Sequence, residues 1–149
     1  MIATIRGWSG CTNFVSQCLK YGGFQYRKSG FILPYRQPKN WYYDNGKPSH
    51  TWGGANNFYQ HWKERAGVAE TSDLLAIGDV ISVDFTNDGD VDHTAIITSS
   101  NNTNESKLLT QHSIDRNEVL PTGEVFSLAY LYSQNYKIYG YEVDKTPIK

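Results

Sequence analysis

The sequence predicts an α+β domain in which a helix near the N-terminus, carrying a cysteine at its start, packs on an antiparallel β-sheet. Three observations predict it. Phe14, Val15, Cys18 and Leu19 recur at helical spacing between Thr12 and Tyr21. Phe58, Trp62 and Ala66 form a second such stripe between Asn56 and Ala66. From Val80 onward the pattern changes to short, β-branched runs separated by turn signals. Helices first and strands afterwards describe an α+β domain rather than alternating βαβ units.

Each element has its own punctuation. Gly22-Gly23 stops the first helix, and Ser9 or Thr12 can cap its start. Residues 24–52 are rich in Gly, Pro, Tyr and Trp and read as a long loop holding a short strand or hairpin. Leu74 to Ile77 leads into a Gly78-Asp79 turn. Val80 to Phe85 alternates, with Val80, Ser82 and Asp84 on one side and Ile81, Val83 and Phe85 on the other. A turn follows at 87–90, then the β-branched run HTAIIT from His93 to Thr98. The polar cluster from Ser99 to Ser106 reads as a hairpin loop, and Lys107 to His112 as the returning strand. Lys137 to Val143 makes the last strand. With no repeat or linker, residues 1–149 are expected to be one domain, which can be a piece cut from a larger polypeptide.

Charge and composition narrow the function. Fourteen basic side chains face fifteen acidic ones, for a net charge of -1, with no basic run along the chain. Nucleic-acid binding by phosphate neutralisation is therefore not expected. No apolar run approaches the roughly 20 residues of a membrane span, so no membrane partner is expected either. The opening MIATIRGWSGC lacks the apolar core of a signal peptide. The expectation is action inside the producing cell, or delivery outside it as part of a larger secreted chain or by another route. Cys11 and Cys18 lie seven residues apart, roughly 10 Å if helical, too far for a disulfide. Both are read as free thiols.

Amide hydrolysis by a cysteine needs a thiolate, an imidazole to take and return its proton, and a polar group to orient the imidazole. Cys11 sits where a helix would begin, so the positive helix end and free first-turn N–H groups favour a thiolate and an oxyanion beside it. The competing reading of Cys11 is a small buried apolar side chain, and that reading holds for Cys18. Among four histidines, His93 opens an apolar strand next to a loop, where it can face a cleft. His112 lies nineteen residues on and can neighbour it across a hairpin. His50 and His61, flanked by Trp52 and Trp62, read as surface or aromatic-packing residues. Asp92, His93, His112 and Asp115 could form a metal site, but no compact H-x-x-x-H or C-x-x-C spacing supports one. No metal and no cofactor is expected.

The stretch SGCTNFVSQCLKYGG closely resembles the cysteine motif of the putative amidase domain family, related to NlpC-like and CHAP-like peptidases of the papain-like superfamily. TWGGANNFYQHW, AIGDVISVDF, VDHTAIIT and LLTQHSIDR resemble later family segments in order and spacing, so the resemblance runs from Gly10 to Arg116. It implies a papain-like fold, with Cys11 as nucleophile, His93 as general base and His112 as the orienting group, Gln111 and Asp115 being alternatives for the last. Asn13, Trp8 and Trp52 are the candidate substrate-binding residues, Asn13 having a bracing role at the helix start as its alternative. The chain departs from the family in having Gly10 where an aspartate is usual. The implied substrate is an amide or peptide bond of cell-wall peptidoglycan. Two alternatives stay open: a toxin or effector domain acting on a protein amide, with an immunity protein as partner, and a binding module that has lost activity.

Overall fold

The computed structural model describes residues 10–101, 103–111, 116–117 and 126–149, with the backbone alone at 111, 116 and 117. Helices α1 (Gly10–Tyr21), α2 (His50–Gly53) and α3 (Ala55–Arg65) precede a five-stranded sheet, and α4 (Leu128–Ser133) lies between its last two strands. The strands are β3 (Val80–Asp84), β4 (His93–Ser99), β5 (Leu108–Gln111), β6 (Arg116–Asn117) and β7 (Lys137–Tyr141). Their spatial order is β6-β5-β4-β3-β7, and every pairing is antiparallel. A small separate hairpin pairs β1 (Tyr43–Asp44) with β2 (Lys47–Pro48). The fold is thus α+β, with helices packed on an antiparallel sheet.

Local chemistry accounts for these boundaries. The α1 helix ends in a Schellman arrangement: Phe24 N–H bonds Leu19 C=O at 3.1 Å and Gly23 N–H bonds Lys20 C=O at 3.1 Å. Gly23 takes φ 114°, which a glycine adopts without strain. Phe24 and Leu19 then pack in the same core. Asn45 and Gly46, at φ 50° and 72°, give β1 and β2 the tight turn their twist requires.

The alternation along β3 does not leave a polar face in water: Val80 through Asp84 are all buried. Val80 packs with Val15, Leu19, Phe58, Trp62 and Tyr141 beneath α1 and α3. Ile81 and Val83 pack on the opposite side with Leu75, Ala95, Ile97, Phe126 and Leu131. The sheet is covered on both sides, so the polar members of β3 need partners inside the protein. Ser82 accepts a hydrogen bond from the Tyr141 hydroxyl at 2.7 Å. At the β7 crossing, a Cβ on Gly140 would fall 2.5 Å from Leu75 Cδ1. Gly140→Ala should therefore cost about 1–3 kcal/mol by overpacking; an unchanged denaturation midpoint would contradict this packing.

The long loop before α2 is organised by Asn40, which is fully buried. Its carboxamide accepts from the Ser29 N–H at 3.0 Å and donates to the carbonyls of Ser29 and Pro34 at 2.9 Å each. These bonds close the turn that carries Phe31 and Ile32 into solvent. Asn40→Ala would remove all three of these bonds to the Ser29 and Pro34 backbone, with an expected loss of about 2–3 kcal/mol. Urea denaturation checks it, and a loss below about 0.5 kcal/mol would remove Asn40 from this role.

Candidate active site

Cys11 is the second residue of α1 and is 1% exposed. The helix begins at Gly10, two residues earlier than its apolar spacing suggests, so Thr12 lies inside it rather than capping it. The Thr12 hydroxyl crosses instead to the sheet, where its Oγ1 lies 2.9 Å from Thr94 Oγ1 in β4. Both threonines are fully buried. This bond ties the residue after Cys11 to the residue after His93, so the cysteine and histidine come into proximity, both buried. Cys11 Sγ lies 4.0 Å from Thr12 Oγ1, beside the same bond.

His93 begins β4. It is 6% exposed, and its ring stacks on Phe85 with centroids 5.7 Å apart and planes at 22°. Register explains the direction. Thr94 pairs with Ser82 and shares the α1 side of the sheet with Val80 and Ile96. His93 pairs with Val83 and shares the other side with Ala95. Its Nε2 is buried and, among the described residues, has no hydrogen-bond partner. An unpaired buried ring nitrogen is costly, and such exceptions in folded proteins call for a reason such as a catalytic role.

A family model described as a putative amidase domain matches residues 6–139. The chain belongs to that family. No curated protein and no solved structure matches it.

In this amidase domain neither cysteine is in a disulfide, and the two differ in environment, Cys11 being buried and Cys18 partly exposed. Burial raises the Cys18 thiol above its ordinary pKa, against a smaller opposing backbone hydrogen bond. Of the remaining candidates, Trp8, His112 and Asp115 lie outside the described residues, and Gln111 is described only as the last backbone position of β5. The hairpin expected to bring the His112 segment back alongside β4 does form, as an antiparallel β4–β5 pairing.

Asn13 and Trp52 are brought together. The Trp52 indole N–H donates to Asn13 Oδ1 at 2.9 Å, and the Trp52 carbonyl accepts from Ser16 Oγ at 2.8 Å. Ser16 Oγ also accepts the Trp41 indole N–H at 3.1 Å. Asn13 therefore fixes the orientation of Trp52, whose ring meets those of Tyr26 and Tyr43 at 5.8 and 5.7 Å between centroids. The crossing from Thr12 to Thr94, the contact that positions the site, had no signal in the sequence beyond two threonines in the right segments.

The other histidines pack as expected of them. His61 is buried and stacks on Trp41 at 6.4 Å and 18°. Burial lowers its pKa to about 4, opposed by its bond to the Pro38 carbonyl and aided by Arg65 and Arg27. Asp92, weighed above as a metal ligand with His93, is exposed and accepts the Phe85 N–H at 2.9 Å. Its carboxylate lies within 4.8 Å of those of Asp84 and Asp88. Asp84 already accepts the N–H groups of Thr86, Asn87 and Gly89, which closes the turn after β3. These carboxylates have a structural employment that needs no ion.

Proposed function

We propose that the chain is a cysteine amidase or peptidase of papain-like design, acting on amide bonds of bacterial cell-wall peptidoglycan. The observation that carries this reading is the buried Thr12–Thr94 bond, which holds a helix-start cysteine next to the strand that begins with His93. Cys11 is the nucleophile, His93 its base and His112 the group that orients the base.

The chemistry follows from those positions. The imidazole takes the Cys11 proton, and the thiolate attacks the amide carbon. The first-turn N–H groups of α1, which have no partner within the helix, stabilise the developing oxyanion. The imidazolium gives its proton to the leaving amine as the C–N bond breaks. Water then attacks the thioester, yielding a carboxylic acid and regenerating the thiol. The Phe85 ring, stacked on His93 at 5.7 Å between centroids, braces the imidazole for this role.

The direct test digests purified peptidoglycan with the wild type and Cys11→Ala and measures new free amino groups. Release confined to the wild type is expected, and equal release by both would defeat the proposal.

A further inference from the structure

The loop organised by Asn40 presents three consecutive apolar side chains to water. Phe31 is fully exposed, Ile32 is 79% exposed and Leu33 43%. Apolar residues exposed singly are ordinary, but a contiguous run at a loop tip marks a contact surface. The tip is held in place. Its stem closes where Arg27 and Trp41 exchange backbone hydrogen bonds at 3.0 and 2.7 Å. Leu33 takes φ 45°, a left-handed conformation that strains a residue with a side chain. Such strain persists only where the surroundings impose it. Here they are the buried Asn40 carboxamide, bonded to Ser29 and Pro34, and the Arg36 N–H bond to the Leu33 carbonyl at 3.0 Å. The apolar point is therefore preorganised on a fixed base.

The base carries one sign of charge. Arg27, Lys28, Arg36 and Lys39 flank the tip in sequence, and all four are exposed. No acidic side chain precedes Asp44, and all fifteen lie from there on. Asp44 is paired with Lys28 at 2.8 Å. Glu64 lines one hollow with Arg27 and Lys39, yet among the described residues no carboxylate pairs with Arg27, Arg36 or Lys39. Lys39 Nζ stands at the foot of the tip, 3.9 Å from where a Cβ on Gly30 would lie.

An apolar point above a cationic base selects its occupant. A soluble polyanion would engage the cations and leave Phe31 and Ile32 in water. A second copy meeting the first tip to tip would set like charges against each other. A bilayer with anionic headgroups satisfies both parts: the apolar side chains enter the acyl boundary, and the Lys and Arg heads stay among the phosphates. We propose that the loop spanning 28–40 anchors the protein to the surface of an anionic phospholipid membrane. The expectation of no membrane partner rests on the lack of a spanning segment, and an interfacial tip needs none. The proposal is independent of the chemistry at Cys11.

Flotation of the intact protein with vesicles tests it. Vesicles of phosphatidylglycerol and phosphatidylcholine in equal parts should bind at least about tenfold more tightly than phosphatidylcholine alone. Phe31→Ser combined with Ile32→Ser should weaken binding to the mixed vesicles by about tenfold or more, at an unchanged melting temperature because both side chains are already exposed. Arg36→Gln combined with Lys39→Gln should weaken the mixed vesicles by about tenfold and leave phosphatidylcholine unaffected. Cys11→Ala should float as the wild type does, so loss of hydrolysis and loss of anchoring are read separately. No flotation with either vesicle would overturn the proposal. So would binding that the Phe31 and Ile32 substitutions leave intact, which would reduce the loop to a site for soluble polyanions. A concentration-dependent dimer in sedimentation velocity, abolished by those two substitutions and accompanied by no vesicle binding, would assign the tip to a second copy instead.

Discussion

Alkylation at pH 7 should label Cys11 at least about tenfold faster than Cys18, although Cys11 is the more buried of the two. Exposure and activation predict opposite orders here, which makes the experiment decisive. Cys11 is 1% exposed and Cys18 is partly exposed, so access alone would favour Cys18. Burial raises the Cys18 thiol, so little of it is thiolate at neutral pH. Cys11 has the helix N-terminus and a histidine at hand. Peptide mapping after iodoacetamide treatment reads both sites in one sample. Preferential labelling of Cys18 would return Cys11 to the status of a packing residue.

The same assay assigns the base. His93→Ala should slow Cys11 labelling by about tenfold or more if its imidazole draws off the proton. His112→Ala should have the smaller effect expected of an orienting group. The reverse order would make His112 the base and leave His93 as the partner of Phe85. On substrate, Cys11→Ala should lose on the order of 10⁴-fold or more in turnover, as removal of a covalent nucleophile does.

What the sequence disclosed depended on whether the cause was local. Gly22-Gly23 announced the end of α1, and the hydrogen bonds at Leu19 and Lys20 are the ones that signal predicts. The β3–β4 and β4–β5 pairings followed from β-branched runs and turn residues, whereas the β3–β7 and β5–β6 pairings had no such signal. The alternation in β3 was read as two distinct faces, yet both are buried, because residues that follow β6 and precede β3 cover the second one. Such covering is a tertiary fact with no local pattern. The α4 helix likewise has no periodic signal in the sequence. It has six residues, too few for a periodicity, and its one signal is Ser127, whose hydroxyl accepts the Tyr130 N–H at 3.1 Å. The place of Cys11 at a helix start was legible from its motif. The direction of the His93 ring was not, because a strand's sides are assigned only once its neighbours are known.

Thermal stability should vary little between about pH 4.5 and 6 in the wild type, while two single variants reveal steep slopes of opposite sign. Two buried groups produce this. Burial raises Asp79 to about 6, a rise to which Asp144 adds and which the Ala76 and Asp144 amides oppose. A carboxyl with a raised folded-state pKa contributes stability at low pH that is lost as pH rises towards 6. His61 does the reverse. Its pKa falls to about 4 through burial, because protonation would charge a ring buried against Trp41. Its Nδ1 lies 2.8 Å from the Pro38 carbonyl, and its Nε2 faces Arg65 Nη1 at 3.4 Å, an arrangement that suits only the neutral ring with its proton on Nδ1. The stability it contributes is present above about 6.5 and lost, by up to ~3 kcal/mol, as pH falls to 4. In the shared window the two slopes oppose each other. Asp79→Asn keeps an acceptor for the Ala76 N–H at 2.9 Å and removes the titration, so its melting temperature should climb with pH. His61→Gln should be less stable at pH 7 and should decline across the same window. Parallel pH profiles for Asp79→Asn and wild type would show that Asp79 does not carry the shift its burial implies.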